Sequence, residues 1–151
     1  TISTTQDTLD SFQSILMVVQ ILLIGIAAIS LLVGSINIAN TMYTSVLERR
    51  REIGIMKAIG ARNNDVLRIF LFESGLLGLT GGIMGLALGA GISKLVELIA
   101  KYQLGTELLR ASFSPSLIIG SLVFAFVLGA ASGTLPARQA SKMNPVDALR
   151  K

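Results

Sequence analysis

The side chains that could take part in chemistry are concentrated in one short basic stretch, residues 48–62. Its members are Glu48, Arg49, Arg50, Arg51, Glu52, Ile53, Gly54, Ile55, Met56, Lys57, Ala58, Ile59, Gly60, Ala61 and Arg62. The 151 residues contain no Cys and no His, which excludes zinc sites built from these ligands and nucleophiles activated by His. The chemistry open to this stretch is therefore binding, and no catalytic residue is predicted.

A helix through this stretch would be amphipathic. At about 100° per residue, four apolar side chains fall on one arc: Ile53, Ile55, Met56 and Ile59. Gly60 can end the helix in the left-handed conformation that glycine adopts at low cost, and Asn63, Asn64 and Asp65 offer side-chain oxygens that could cap a following helix. The pattern predicts a helix, a sharp turn and a second helix that together form a docking segment. An alternative remains open, in which the loop only fixes topology or rests on anionic lipid headgroups.

Three long windows outside this stretch, one before it and two after it, contain no Asp, Glu, Lys or Arg: residues 11–47, 74–93 and 111–137. Each is long enough to cross a hydrocarbon core of about 30 Å, which takes roughly 20 apolar residues. The sequence predicts an all-α integral membrane protein, with a single domain over residues 1–151. The spans are expected at about residues 15–47, 74–93 and 115–135, with an intervening basic segment at 48–62.

The distribution of positive charge predicts the orientation. Residues 48–73 carry six Lys or Arg and residues 138–151 carry four, whereas the residues before the first span carry none. The positive-inside rule places the first two regions in the cytoplasm and the amino terminus outside it. An outside amino terminus without a preceding signal leads us to expect the carboxy-terminal piece of a longer protein, with an earlier span upstream. Because the charge is segregated in this way, the net +4 does not indicate nucleic-acid binding.

The first span is predicted to be one long helix over residues 7–47. Apolar residues recur at spacings of three and four ahead of the membrane, at Leu9, Phe12, Leu16, Val19 and Leu23. The first turns, residues 1–14, would form a stalk above the bilayer. At the other end of the chain, Asn144 and Pro145 predict a short cytoplasmic helix in the tail of residues 138–151.

The second span carries a stripe of glycines on a helix predicted over residues 64–100. Its members are Gly75, Gly78, Gly82, Gly85 and Gly89. Such a stripe allows a neighbouring helix to approach closely, whether in the same chain or in a second protomer. In the third span Pro115 should start the helix, Ser121, Ala125 and Gly129 form another small-residue row, and Pro136 should end or kink it.

The sequence contains no motif for ATP binding or for ion coupling. No G-x-x-x-x-G-K-[ST] phosphate loop is present, and no intramembrane acid, base or metal pair stands out. ATP, if used, would have to be bound by a partner.

Two long motifs resemble the FtsX-like permease domain of MacB-type ABC transporters. The family pattern E-R-x-R-E-I-G-I-x-K-A-I-G-A, which follows its second span, is matched by residues 48–61. The pattern P-A-R-x-A followed by P-x-x-A-L-R, after its fourth span, is matched within residues 135–150. The resemblance covers nearly the whole chain and corresponds to spans two to four of that family.

This resemblance implies a role. Residues 48–61 would be a coupling helix docked on a cytoplasmic ABC ATPase, which binds ATP and Mg²⁺, and the first helix would carry motion outward. The permease would sit in a prokaryotic cytoplasmic membrane, in contact with lipid, as one half of a homo- or heterodimer. It would be a non-enzymatic subunit used for export or extraction of a substrate. The alternative of another class is a membrane scaffold or regulator that acts without an ATPase; a channel is disfavoured, because the spans lack charged residues.

Overall fold

The computed structural model describes residues 2–104 and 113–144 of the chain. Five α-helices occupy these residues, and no strand occurs among them: α1 (Ile2–Glu48), α2 (Arg50–Ala58), α3 (Asn63–Leu104), α4 (Pro115–Ser132) and α5 (Thr134–Ser141). The helix expected in the tail begins at Asn144, the last described position, so that prediction lies outside the described residues.

Three of the helices are long and apolar enough to cross a membrane, over Thr8–Glu48, Asn63–Tyr102 and Pro115–Ser132. The prediction of an all-helical chain with three candidate spans is therefore confirmed for the described residues, and the chain is a multi-pass membrane protein. Large apolar side chains remain exposed on all three helices, for example Leu32, Leu88 and Leu117. In a bilayer such side chains face lipid or another helix, so their exposure carries none of the cost that it has in water.

The single long helix predicted over residues 7–47 is present within α1. All side chains from residue 8 to residue 34 are exposed, including the apolar seam that begins at Leu9 and Phe12. Burial begins only near the carboxyl end of α1, where Met42 and Val46 are almost completely covered.

The break between α4 and α5 falls at Gly133, three residues before the proline that predicted it. A proline ring clashes with the carbonyl four residues earlier, and α4 ends at Ser132, four residues before Pro136. Pro136 itself lies in the first turn of α5, where a missing N–H leaves no hydrogen bond unmade. The third helix is therefore three residues shorter than the predicted span of 115–135. Its start at Pro115 is as expected.

The buried core of residues 37–144 lies where four helices meet. We call this group the basal cluster: Met42 and Val46 of α1, Ile53 of α2, Val66 and Phe70 of α3, and Ala137 and Ala140 of α5. Each of these side chains is at most 2% exposed. The cluster holds α2 against the ends of α1, α3 and α5, and so it positions the candidate site.

Candidate functional site

Helix α2 is joined to α1 almost without interruption. The Arg49 N–H donates to the Ser45 carbonyl at 3.0 Å, and the Ile53 N–H donates to the Arg49 carbonyl at 3.1 Å. These two bonds carry the helical pattern across the junction. The backbone of α2 is therefore bonded directly to the carboxyl end of α1.

A Schellman motif ends α2 and confirms the role predicted for Gly60. Its N–H donates to the Lys57 carbonyl at 3.1 Å, and the Ala61 N–H donates to the Met56 carbonyl at 3.0 Å. Gly60 has φ of 105°, the left-handed region that a side chain makes costly. Met56 and Ala61, the C3 and C″ residues of this motif, both pack against the basal cluster.

Of the three side chains offered as caps for α3, Asp65 forms a bond at its start, while Asn63 and Asn64 lie within the helix. The Asp65 Oδ2 accepts the Arg62 N–H at 3.0 Å, so an acidic side chain in the first turn satisfies a backbone donor just ahead of the helix. The turn between α2 and α3 is thus closed at both ends by local bonds. The helix begins at Asn63 and runs beyond the predicted end at residue 100.

The apolar arc of α2 is divided between the core and the surface. Ile53 is 0% exposed and Met56 packs against the basal cluster, whereas Ile55 is 48% and Ile59 is 82% exposed. The predicted arc spans about 160°, so its two edges cannot both face the same neighbour. Ile55 and Ile59, the residue that caps the carboxyl end of α2, lie one turn apart and form an exposed apolar pair.

The charged residues of the stretch are likewise divided between residues bonded within the chain and residues exposed on its surface. Arg49 is partly exposed but bonded within the chain: its guanidinium donates to Glu52 at 2.9 Å and to Glu73 at 3.2 Å, and it lies 5.9 Å from the centre of the Phe70 ring. Glu73, just before the second uncharged window, is thus paired with a basic residue. The hydrogen bond to Glu52 is the main cause that raises the pKa of Arg49; the negative charges of Glu73 and Glu52 add to it, and burial opposes it.

The remaining charged side chains at this end of the stretch point outward. Glu48, Arg50 and Arg51 are exposed, and no ion pair of theirs occurs in the described part of the chain. At about 100° per residue, Arg51 lies on the same side of α2 as Ile55 and Ile59, whereas Arg50 lies on the opposite side. We call Arg51, Ile55 and Ile59 the docking surface.

Lys57 does not belong to that surface, although sequence reasoning grouped it with the docking residues. Its Nζ donates to the carbonyls of Ser141 at 2.5 Å and of Met143 at 2.8 Å, so it is turned toward the end of α5. No pattern in the sequence pointed to this contact, because the acceptors are backbone atoms 84 and 86 residues away.

The glycine stripe of α3 has two environments. An ideal Cβ on Gly75 would lie 2.6 Å from the Phe126 ring, one on Gly82 would lie 2.6 Å from the Ala125 Cβ, and one on Gly78 would meet the Ala125 carbonyl oxygen. These three glycines therefore lie against α4 of the same chain. Cβ atoms on Gly85 and Gly89 would have no neighbour within 4 Å in the described structure. The part that these five glycines play in assembly stays a prediction.

Comparison with known families identifies the chain, because residues 11–145 match the model of the FtsX-like permease C-terminal domain. The chain belongs to this family. The resemblance inferred from the motifs at residues 48–61 and 135–150 is thereby confirmed. The described residues of this FtsX-like permease domain contain no cluster of three or more His, Cys, Asp or Glu that could hold a metal ion.

Relatives of the FtsX-like domain include ABC transporter proteins. It is 50% identical over 137 residues to an uncharacterized ABC transporter permease of Methanocaldococcus jannaschii, covering 91% of this chain and 34% of that protein. It is 44% identical over 129 residues to the macrolide export ATP-binding/permease protein MacB of Bdellovibrio bacteriovorus, covering 85% and 19%. A MacB protein of Chromobacterium violaceum is 45% identical over 131 residues. The chain thus spans about a third or less of the length of these relatives.

Proposed function

We propose that this chain is the carboxy-terminal membrane part of an ABC transporter permease, and that its helix α2 docks on a cytoplasmic ATPase. The observation that carries the proposal is the outward pair of Ile55 and Ile59. These residues stay exposed while the opposite face of the same helix is buried in the basal cluster. An exposed apolar pair beside Arg51, held on a helix with a packed inner face, suits a hydrophobic groove with an acidic rim.

The position of α2 between two candidate spans supports a cytoplasmic location. Six Lys or Arg lie in residues 48–73, and the positive-inside rule assigns such a loop to the cytoplasm. With three spans the amino-terminal end of α1 is then extracytoplasmic and the tail is cytoplasmic. We place the protein in a prokaryotic cytoplasmic membrane, in keeping with the organisms of its relatives.

The ATPase would drive the permease by moving α2. The backbone bonds at Arg49 and the contacts of Met42 and Val46 with Ile53 join α2 to the end of α1, so motion at α2 reaches the long first helix. Motion of α1 would then act on the extracytoplasmic side, in export or extraction of a substrate. ATP and Mg²⁺ would be bound by the ATPase and not by this chain. Coupling requires that the two nucleotide states of the ATPase bind α2 with different affinities.

The names of the relatives agree with this arrangement. MacB of Bdellovibrio bacteriovorus is named as an ATP-binding/permease protein for macrolide export, so the two functions occur together in that protein. For the present chain we propose the same division of labour, with the ATPase as partner. A second permease protomer would complete the assembly, and the long exposed faces of α1 would contact it or lipid.

The test is to place a charge on the docking surface without disturbing the core. Ile59→Asp in the full permease should insert normally, because the side chain is 82% exposed, yet transport should uncouple from ATP hydrolysis. Ile59→Leu is the matched control and should behave like the unaltered protein. If Ile59→Asp and Ile55→Asp both retain transport and bind the ATPase normally, the docking assignment is wrong. If the purified permease retains no nucleotide-binding partner at all, a scaffold role is favoured instead.

A further inference from the structure

We propose that Lys57 is a positioning residue that joins the docking helix α2 to the end of α5, so that the two helices move as one unit. The proposal rests on the docking role of α2, because it concerns where the motion of α2 goes. It adds a second route for that motion, through Lys57 to α5 and the third candidate span α4, beside the backbone connection to α1.

The backbone hydrogen bonds at the end of α5 define the role of the lysine. The last four carbonyls of a helix have no partner inside it. In α5, the Arg138 carbonyl accepts the Ser141 hydroxyl at 2.9 Å. The Gln139 and Ala140 carbonyls accept the N–H groups of Lys142 at 3.2 Å and Met143 at 3.3 Å. The Ser141 carbonyl accepts from Lys57, whose ammonium completes the cap from another helix.

The electrostatics of the site favour a cation at this position. The carboxyl end of a helix carries a partial negative charge, and Lys57 places a positive charge directly on it. The second acceptor, the Met143 carbonyl, is bound by the same Nζ, so the ammonium spans the turn that follows α5. This cap of α5 is lost when α2 and α5 separate. The contact therefore holds the two helices together in addition to ending α5.

The surroundings of the contact are buried. Ala137 and Ala140 are 0% exposed and Ser141 is 5% exposed, and the two alanines pack in the basal cluster with Ile53. A carbonyl left without a donor in such a place loses its hydrogen bond and cannot regain it fully from water. Removing the ammonium should therefore loosen the end of α5 itself, and not only its link to α2.

The connection continues from α5 to the membrane. The Ala137 N–H donates to the Gly133 carbonyl at 3.0 Å, and the Gly133 N–H donates to the Gly129 carbonyl at 3.1 Å, so helical bonds run across the junction of α4 and α5. An ideal Cβ on Gly133 would overlap the side chain of Ser74, which shows how closely this junction lies against α3. A load applied to α2 and transmitted by Lys57 therefore reaches α4 through a closely packed joint.

The first part of the test examines the link without any ATPase. Hydrogen exchange at the Met143 amide, which is bonded to the Ala140 carbonyl, is compared in the full permease and in its Lys57→Met and Lys57→Arg variants. Lys57→Met should raise the exchange rate about tenfold or more, as expected when a charged hydrogen-bond donor is lost. Lys57→Arg keeps a charged donor and should restore most of the protection. An exchange rate that is the same in Lys57→Met and the unaltered protein would overturn the proposal.

The second part measures coupling in the complex with the ATPase. Lys57→Met should lower transport per ATP hydrolysed about tenfold while the ATPase stays bound, and Lys57→Arg should recover it. If exchange rises but coupling is unchanged, while Ile59→Asp does uncouple, then Lys57 is outside the route of motion: the proposal fails and docking by α2 stands. If Ile59→Asp does not uncouple either, the proposed function fails together with this inference.

A cross-linked variant covers the case in which Lys57→Met inserts poorly. Because residues 1–151 contain no Cys, Lys57→Cys with Met143→Cys can be introduced against a background free of other thiols in this region. Joining the two with a short thiol cross-linker should restore coupling relative to the unlinked protein. A linked protein that remains as uncoupled as the unlinked one would contradict the proposal, since the connection would be present without its effect.

Discussion

Replacing Gly78 by Ala should separate α3 from α4. An ideal Cβ at this position would overlap the Ala125 carbonyl oxygen and lie 2.8 Å from the Gly129 Cα. Both obstacles are backbone atoms, so no side-chain rotation relieves the clash and the helices themselves must shift. Overpacking of this kind lowers the free energy of unfolding by about 1–3 kcal/mol.

Gly85 provides a matched control on the same helix and the same stripe. A Cβ there would have no neighbour within 4 Å. Both substitutions gain the same helix preference of Ala over Gly, which is worth up to about 1 kcal/mol, so the difference between the variants isolates the clash. Gly78→Ala should therefore be less stable than Gly85→Ala by about 1–3 kcal/mol, a factor of roughly 5–150 in the unfolding equilibrium.

The assay is the unfolding equilibrium of the purified permease in mixed detergent–lipid micelles, followed by circular dichroism. Helix content before denaturation serves as the control for normal insertion. If the two variants unfold with free energies that agree within about 0.5 kcal/mol, the close approach of α3 to α4 does not limit side-chain size at Gly78, and the packing argument is refuted.

Four further substitutions follow from the same structure, and each is checked by chemical or thermal unfolding. Ile53→Ala should lower the free energy of unfolding by about 2–5 kcal/mol, because Ile53 is fully buried, whereas Ile59→Ala should change it by less than about 0.5 kcal/mol; equal effects would contradict the division of α2 into two faces. Gly60→Ala should cost about 1–2 kcal/mol through its left-handed backbone alone, since a Cβ there has no neighbour within 4 Å, and a more stable variant would contradict this. Arg49→Met should cost no more than about 1 kcal/mol, because the pair with Glu73 is partly exposed, and the loss should shrink in high salt. Since its partners raise the pKa of Arg49, the stability from its charge is fully present below the pKa of the unfolded state, so the effect of Arg49→Met should not change between about pH 6 and pH 9.

Local patterns were sufficient to predict the helices and the turn between α2 and α3. The uncharged windows located the three candidate spans, and the conformation of Gly60 follows from its place after an amphipathic segment. Pro136 correctly indicated an interruption, but the break falls at Gly133, because the ring acts on the carbonyl four residues earlier. Such features depend on residues a few positions apart, which is why they could be read from the chain.

Features that depend on distant partners could not be predicted. The apolar arc of α2 gave no indication that Ile53 faces a core made by α1, α3 and α5 while Ile59 stays exposed. Lys57 was grouped with the docking residues because it lies within the motif of residues 48–61, and its acceptors are backbone carbonyls with no signature in the sequence. The glycine stripe predicted close packing, but not that Gly78 would meet α4 while Gly85 has no neighbour.

Photocrosslinking from position 59 tests most directly whether α2 docks on an ATPase, because Ile59 is the most exposed apolar side chain of the docking surface. A photoreactive amino acid replaces Ile59 in the full permease, and intact cells are irradiated. The account predicts a covalent adduct with a nucleotide-binding ATPase, and a yield that changes when ATP hydrolysis is blocked. An adduct formed only with lipid or with an extracytoplasmic protein would contradict it.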